Sequence, residues 1–213
     1  MDVELAGVNE EYRTEIENTI KLMQYEYPVL QEIIGIIHLS NTTIRDTYAS
    51  CRLICKKKLY YEIQLNNKYL SKADIEHEFS KDRIMYEANY YSLQDIIIHE
   101  MGHALQGFYL CKKLHINLKL YKFFYRINFT LLENENKVDR IWTKYFSKFE
   151  NINYKLQLLG NGAMQNPKEI LPECYNNYYR LKNKSKLDVV EQETYEFVKA
   201  VVDDYKKYIP NEL

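Results

Sequence analysis

Glycine and proline are both scarce, with 6 and 4 among 213 residues. A chain so poor in turn formers does not read as a loop-rich all-β protein; it reads as long helices. Charge of one sign is also missing. The 29 Lys and Arg face 30 Asp and Glu, for a formal net charge of −1. Neither a nucleic acid nor an anionic membrane is therefore an expected partner. Long apolar runs are absent too. The greasiest short run, IIGII at 33–37, falls far below the ~20 residues needed to span a bilayer. The first residues, MDVELAGVNEEYR, are acidic and show no basic segment followed by an apolar one, so no signal peptide is expected. The expected location is the cytoplasm in which the chain is made, with delivery elsewhere as a further route. Cysteines number only four: Cys51, Cys55, Cys111 and Cys174. Cys51 and Cys55 have a CxxxC spacing, but no second Cys/His pair follows at zinc-finger distance, so reduced core thiols are expected.

The chain is 46% hydrophobic and 28% charged, which suits a single domain over residues 1–213 with a real core. Tyrosine is abundant at 21; beside the many Asn, Ile and Lys it reads as the mark of an AT-rich genome. Tyr12, Ile16, Ile20, Met23 and Tyr27 recur at steps of three and four, which predicts an amphipathic helix stopped near Pro28. A short helical turn is expected over 28–34 and a strand over 36–39. Residues 51–55 and 59–64 predict a hairpin around CKKKL. RIMYEA, 83–88, reads as another strand. Ser92 is a candidate N-cap with Asp95 as its partner, opening a helix to about Lys113. Residues 114–150 read as helical, with Phe123 and Ile127 on one face. Gly160 and Gly162 break that pattern before a helix-rich tail.

The chemistry concentrates in QDIIIHEMGHALQG, residues 94–107. The chain has five histidines, and two of them, His99 and His103, stand four apart in this greasy run. At ~100° per residue their rings project from one helix face, one turn apart. That geometry lets two ring nitrogens bind one Zn²⁺ at about 2.0–2.1 Å. Glu100 sits about 100° round the helix, beside the metal rather than on it, where it can take a proton from a water. The bland alternative is a pair of structural histidines with satisfied hydrogen bonds. Burying two polar rings and a carboxylate among isoleucines without a purpose would be costly. Gly102 inside the helix costs about 1 kcal/mol relative to Ala, which predicts something packed close against it.

A catalytic zinc needs a third protein ligand. His38, His77 and His115 are not placed to supply it, because Gln106 and Tyr109 occupy the positions of a longer histidine motif. A downstream carboxylate is the natural candidate. In NPKEILPECYNNYY, 166–179, Asn166 can cap, Pro167 suits the first helical position, and Glu169 and Glu173 lie one turn apart. One glutamate can ligate while the other hydrogen-bonds to a ligating histidine. Spacing alone does not say which, nor does it set aside a solvated surface pair.

HEMGH followed by N-P-x-E-x-x-x-E-C-Y-x-x-Y-Y resembles the catalytic domain of the anthrax lethal factor family, which includes the clostridial Pro–Pro endopeptidases. In that family the second helix reads approximately N-x-x-E-F-F-A-E-x-F. The resemblance spans roughly residues 83–205 and is most specific at these two motifs; the tail from Tyr175 to about Val202 also matches. It implies an α+β, mostly helical zincin-like metallopeptidase fold with a small mixed sheet beside the HExxH helix. It implies one Zn²⁺ on His99, His103 and Glu169, with Glu173 hydrogen-bonded behind a histidine and Glu100 as general base. The implied activity is endopeptidase cleavage of a protein or peptide lying antiparallel on an edge strand, with 83–88 and 59–64 as candidates. Two positions depart from the family. Gly162 stands where the family usually carries a tyrosine that stabilises the oxyanion, and Tyr154, Tyr175, Tyr178 and Tyr179 are the nearby substitutes. Pro172 replaces a small residue and is expected to kink the helix after Glu169. The rival expectation is a zincin-fold binding module with little or no activity.

Overall fold

The computed structural model describes residues 2–5, 8, 10–40, 47–55, 59–68, 71–86, 90–113, 115 and 135–211. Its strands form one mixed sheet. β1 (Asp2–Glu4) runs parallel to β2 (Ile34–Ser40), and β2 runs parallel to β4 (Leu59–Asn66). β3 (Ala49–Cys55) pairs antiparallel with β4 as the expected hairpin, giving the order β1-β2-β4-β3. On β4 the buried residues alternate as Tyr61, Ile63 and Leu65, the period of a strand with one face on the core. Between them Glu62 meets Arg52 at 2.9 Å on the wetter face.

α1 (Glu10–Glu26) buries Tyr12, Ile16, Ile20 and Met23, the predicted stripe. α2 (Leu30–Ile33) is the short turn after Pro28. The expected strand at 83–88 is not there. α3 (Lys72–Tyr86) runs through its first four residues, and 87–88 lie outside the described residues. The start signal that outweighs the strand-like composition is Ser71, whose Oγ accepts from the Asp74 N–H at 3.2 Å. Ile75 and Phe79, one turn apart, then bury one face. The other edge-strand candidate fails for a different reason: 59–64 belongs to β4, which has a neighbour on each side, and the edge beside it is β3.

α4 (Leu93–Lys113) begins as predicted. The Asp95 carboxylate accepts from the N–H of Ser92 at 3.0 Å and of Tyr91 at 2.7 Å, and the Asp95 N–H donates to Ser92 Oγ at 3.4 Å. Of the stretch 114–150, α5 (Glu135–Phe146) is helical, while Phe123 and Ile127 lie outside the described residues. α6 (Ile152–Leu159) ends at Gly160, whose φ of 103° a side chain would strain. α7 (Asn161–Gln165), a 3₁₀ turn (Pro167–Glu169), α8 (Ile170–Lys182) and α9 (Val189–Lys206) follow. α4 is the hub, with α1, α8 and β3 packed on it and α9 behind α8. The result is mostly helical α+β with a small mixed sheet. Among the described residues, no helix is long and apolar enough to cross a membrane. Cys51, Cys111 and Cys174 are free thiols, the latter two buried.

Gly102 shows how α4 and α8 meet. A Cβ there would lie 2.8 Å from Pro172 Cα, so the glycine allows the backbones to touch. Pro172 falls inside α8 (Ile170–Lys182), just after the 3₁₀ turn that ends at Glu169. The helix begins at Ile170, which puts the proline in the first turn, where the N–H it lacks has no intrahelical partner.

Candidate metal centre

α4 sets His99 and His103 side by side, with ring centroids 4.9 Å apart. The third group comes from seventy residues further on. Asn166 caps the 3₁₀ turn through its side-chain oxygen, which accepts from the Lys168 N–H at 3.0 Å. Pro167 opens that turn and Glu169 closes it. Glu169 Oε2 then lies 3.1 Å from His99 Nε2 and 3.2 Å from His103 Nε2. One ligand atom from each residue fits within 4.8 Å, and the group could hold a metal ion. With zinc bonds of about 2.0–2.1 Å the edges of a tetrahedron are roughly 3.3 Å long, close to both separations. The donor set is therefore one that could hold a metal ion.

Each ring is also held from behind. His99 Nδ1 is 3.1 Å from the Tyr90 hydroxyl and 3.4 Å from Glu173 Oε1. His103 Nδ1 is 2.8 Å from the Gln106 side-chain amide. A metal on His103 Nε2 needs a hydrogen on Nδ1, which the Gln106 carbonyl accepts when the amide is turned round; the two ends of an amide are assigned by such bonds. Glu173 is buried and its Oε1 accepts from Tyr90 at 2.9 Å.

Glu100 is only 7% exposed. Burial raises its carboxyl above the ordinary range, against the pull of His103, His99 and a hydrogen bond from the Cys51 backbone. The strand beside Glu100 is thus β3, the sheet edge. Burial would also raise Glu169, but hydrogen bonds from His103 and His99 and their charge hold it well below the usual carboxylate range. Burial lowers His99, and Glu169 and Glu173 overcome that and raise it. These opposed shifts are those of a carboxylate held against imidazole, the arrangement a bound cation would replace.

The four candidate tyrosines point elsewhere. Tyr154 is 43% exposed and donates to Glu193. Tyr175 packs edge-on against Tyr27, Tyr178 stacks on Tyr195, and Tyr179 donates to Glu26 at 2.8 Å. Gly162 does face the site: a Cβ there would meet only Glu173 Oε1, at 3.7 Å. The tyrosine the sequence reading missed is Tyr90, which carries no motif and whose role depends on a contact 83 residues away.

Compared with known proteins, the chain matches no family model, no curated protein and no solved structure. The likeness to the lethal factor family rests on the residues of the two motifs.

Proposed function

We propose that the protein is a zinc-dependent endopeptidase of the lethal-factor type, with a zincin-like fold. The observation that supports this best is the convergence of His99, His103 and Glu169 beside a Glu100 carboxylate that belongs to the same helix and is kept out of water. Zinc, when bound, supplies Lewis acidity toward a carbonyl oxygen and an attacking water. The chain's own groups do the remaining work. His99, His103 and Glu169 hold the ion. Glu100 takes a proton from the water at its carboxylate and returns it to the leaving amine. A peptide substrate lies extended along β3, the strand edge next to Glu100, and gains main-chain hydrogen bonds there.

A specific observation favours a second reading, a binding module of the same fold: none of Tyr154, Tyr175, Tyr178 and Tyr179 reaches the metal group. One experiment separates the two. A mixed peptide library is incubated with zinc-loaded protein, with and without chelator, and products are read by mass spectrometry. Chelator-sensitive cleavage is expected, and Glu100→Gln should keep zinc while losing cleavage. A Cβ at Gly162 meets Glu173 only at ordinary contact distance, and Gly162→Tyr should raise turnover, since an oxyanion donor is worth about 10² to 10³ in rate. Zinc-loaded, folded protein that cleaves nothing in either form would turn the reading to the binding module.

A further inference from the structure

Tyr90 stands three residues before α4 and belongs to neither motif. Its hydroxyl lies 2.9 Å from Glu173 Oε1 and 3.1 Å from His99 Nδ1, and that Glu173 oxygen is itself 3.4 Å from the same nitrogen. The three groups form a closed triangle behind the metal-facing nitrogen. The hydrogens follow by elimination when the ion is bound. The Tyr90 hydroxyl donates its single proton to Glu173 Oε1. The tyrosine oxygen can then only accept from His99, and so can Glu173. Nδ1 must carry a hydrogen, which leaves the lone pair on Nε2, the nitrogen beside Glu169 Oε2.

The tyrosine is itself held in place. Its ring packs 6.1 Å from Tyr48 and 6.4 Å from Phe79, centroid to centroid, and those two rings are 4.9 Å apart. The Tyr48 hydroxyl is tied to Asp82 of α3. The hydroxyl of Tyr90 thus reaches His99 from a ring support that includes Phe79 of α3 and Tyr48, the residue before β3.

We infer that Tyr90 is a positioning residue for the metal centre, fixing the tautomer and ring orientation of His99 together with Glu173. The inference rests on the metal site proposed above. Removal of such a partner typically weakens metal affinity 10- to 100-fold.

The test compares wild type, Tyr90→Phe, Glu173→Gln and the double variant by zinc competition against a chromophoric chelator. Each single change should loosen zinc about 10- to 100-fold. The double change should cost less than the product of the two, because both act through one imidazole. In zinc-loaded protein, the His99 Nδ1–H signal in ¹H–¹⁵N spectra should be protected in wild type and lost to exchange in Tyr90→Phe. Tyr48→Phe keeps the ring beside Tyr90 and removes only the tie to Asp82, so it should loosen zinc far less than Tyr90→Phe does. Tyr90→Phe with wild-type affinity and an unchanged His99 signal overturns the inference. So does Tyr48→Phe that loosens zinc as much as Tyr90→Phe, since packing would then be the cause. Wild type that binds zinc but cleaves no peptide defeats the peptidase reading and leaves this comparison standing. Wild type that binds no zinc overturns both.

Discussion

Helix α4 does two different jobs along its length. Its first half, through His103, buries Asp95, His99 and Glu100, and each needs hydrogen-bonding or charge partners brought from elsewhere in the chain. Its second half buries Tyr109 in a nest of rings. Tyr109 stacks on Trp142 at 5.3 Å and meets Tyr145, Tyr205 and Tyr208 at 4.9–5.3 Å. The first half is costly to bury and specific in what it can hold. The second is secured by area and ring geometry. One helix can carry both because the rings anchor it against α5 and α9, so that the polar half need not stabilise itself. Stability and metal binding should therefore be separable along one helix.

The largest expected effect is in the polar half. Glu169→Ala should abolish stoichiometric zinc, since two imidazoles remain, while Glu173→Ala should only weaken it; metal analysis after gel filtration reads both. Retention by Glu169→Ala and loss by Glu173→Ala would reverse the two carboxylates. Next comes the aromatic half. Trp142 is fully buried, and Trp142→Ala should cost about 3–5 kcal/mol in urea unfolding while the folded fraction binds zinc as before. A parallel drop in zinc affinity would break the separation.

Gly102→Ala sits between the halves. Ala favours the helix by about 1 kcal/mol, but its Cβ would lie 2.8 Å from Pro172 backbone, and overpacking costs about 1–3 kcal/mol. A net loss of stability is expected. It should come with weaker zinc binding, because α8 must move and Glu169 stands immediately before it. Stability loss with unchanged zinc affinity would show that α8 yields without moving its first turn.

The smallest effect belongs to a polar clamp on the ring cluster. Asp204 accepts from Tyr145 at 2.8 Å and from Lys148 at 2.8 Å. Burial opposes the shift, yet the hydrogen bonds from Lys148, Tyr145 and Lys207 lower its pKa from 3.8 to about 2. A depressed folded-state pKa gives stability that is complete above the unfolded value and is lost as pH falls toward about 2. Asp204→Asn should therefore flatten the acid limb of the stability curve between those values. The effect should stay within about 1 kcal/mol for a pair this near the surface. An unchanged acid limb would remove Asp204 from the account.

Features set by near neighbours in the chain are legible in the sequence. The Ser92–Asp95 cap, the stripe on α1, the β3–β4 hairpin and the shared face of His99 and His103 each depend on residues within a few positions of one another. Helix and strand periods act at that range, so the sequence alone determined them. The packing against Gly102 was also predictable as a fact, though not its partner. Other features were decided only by the tertiary structure. Glu169 and Glu173 are one turn apart and chemically alike; the close crossing of α4 and α8 at Gly102 and Pro172 puts the first at the Nε2 atoms and the second behind His99. Residues 83–86 have strand-like composition, but they continue a helix begun at Ser71 and held by Phe79. The strand beside Glu100 is β3, because sheet order depends on pairings that no local pattern encodes. Tyr90 is the clearest case: it looks like any of 21 tyrosines until Tyr48, Phe79, His99 and Glu173 meet around it, brought together from four separate stretches of chain.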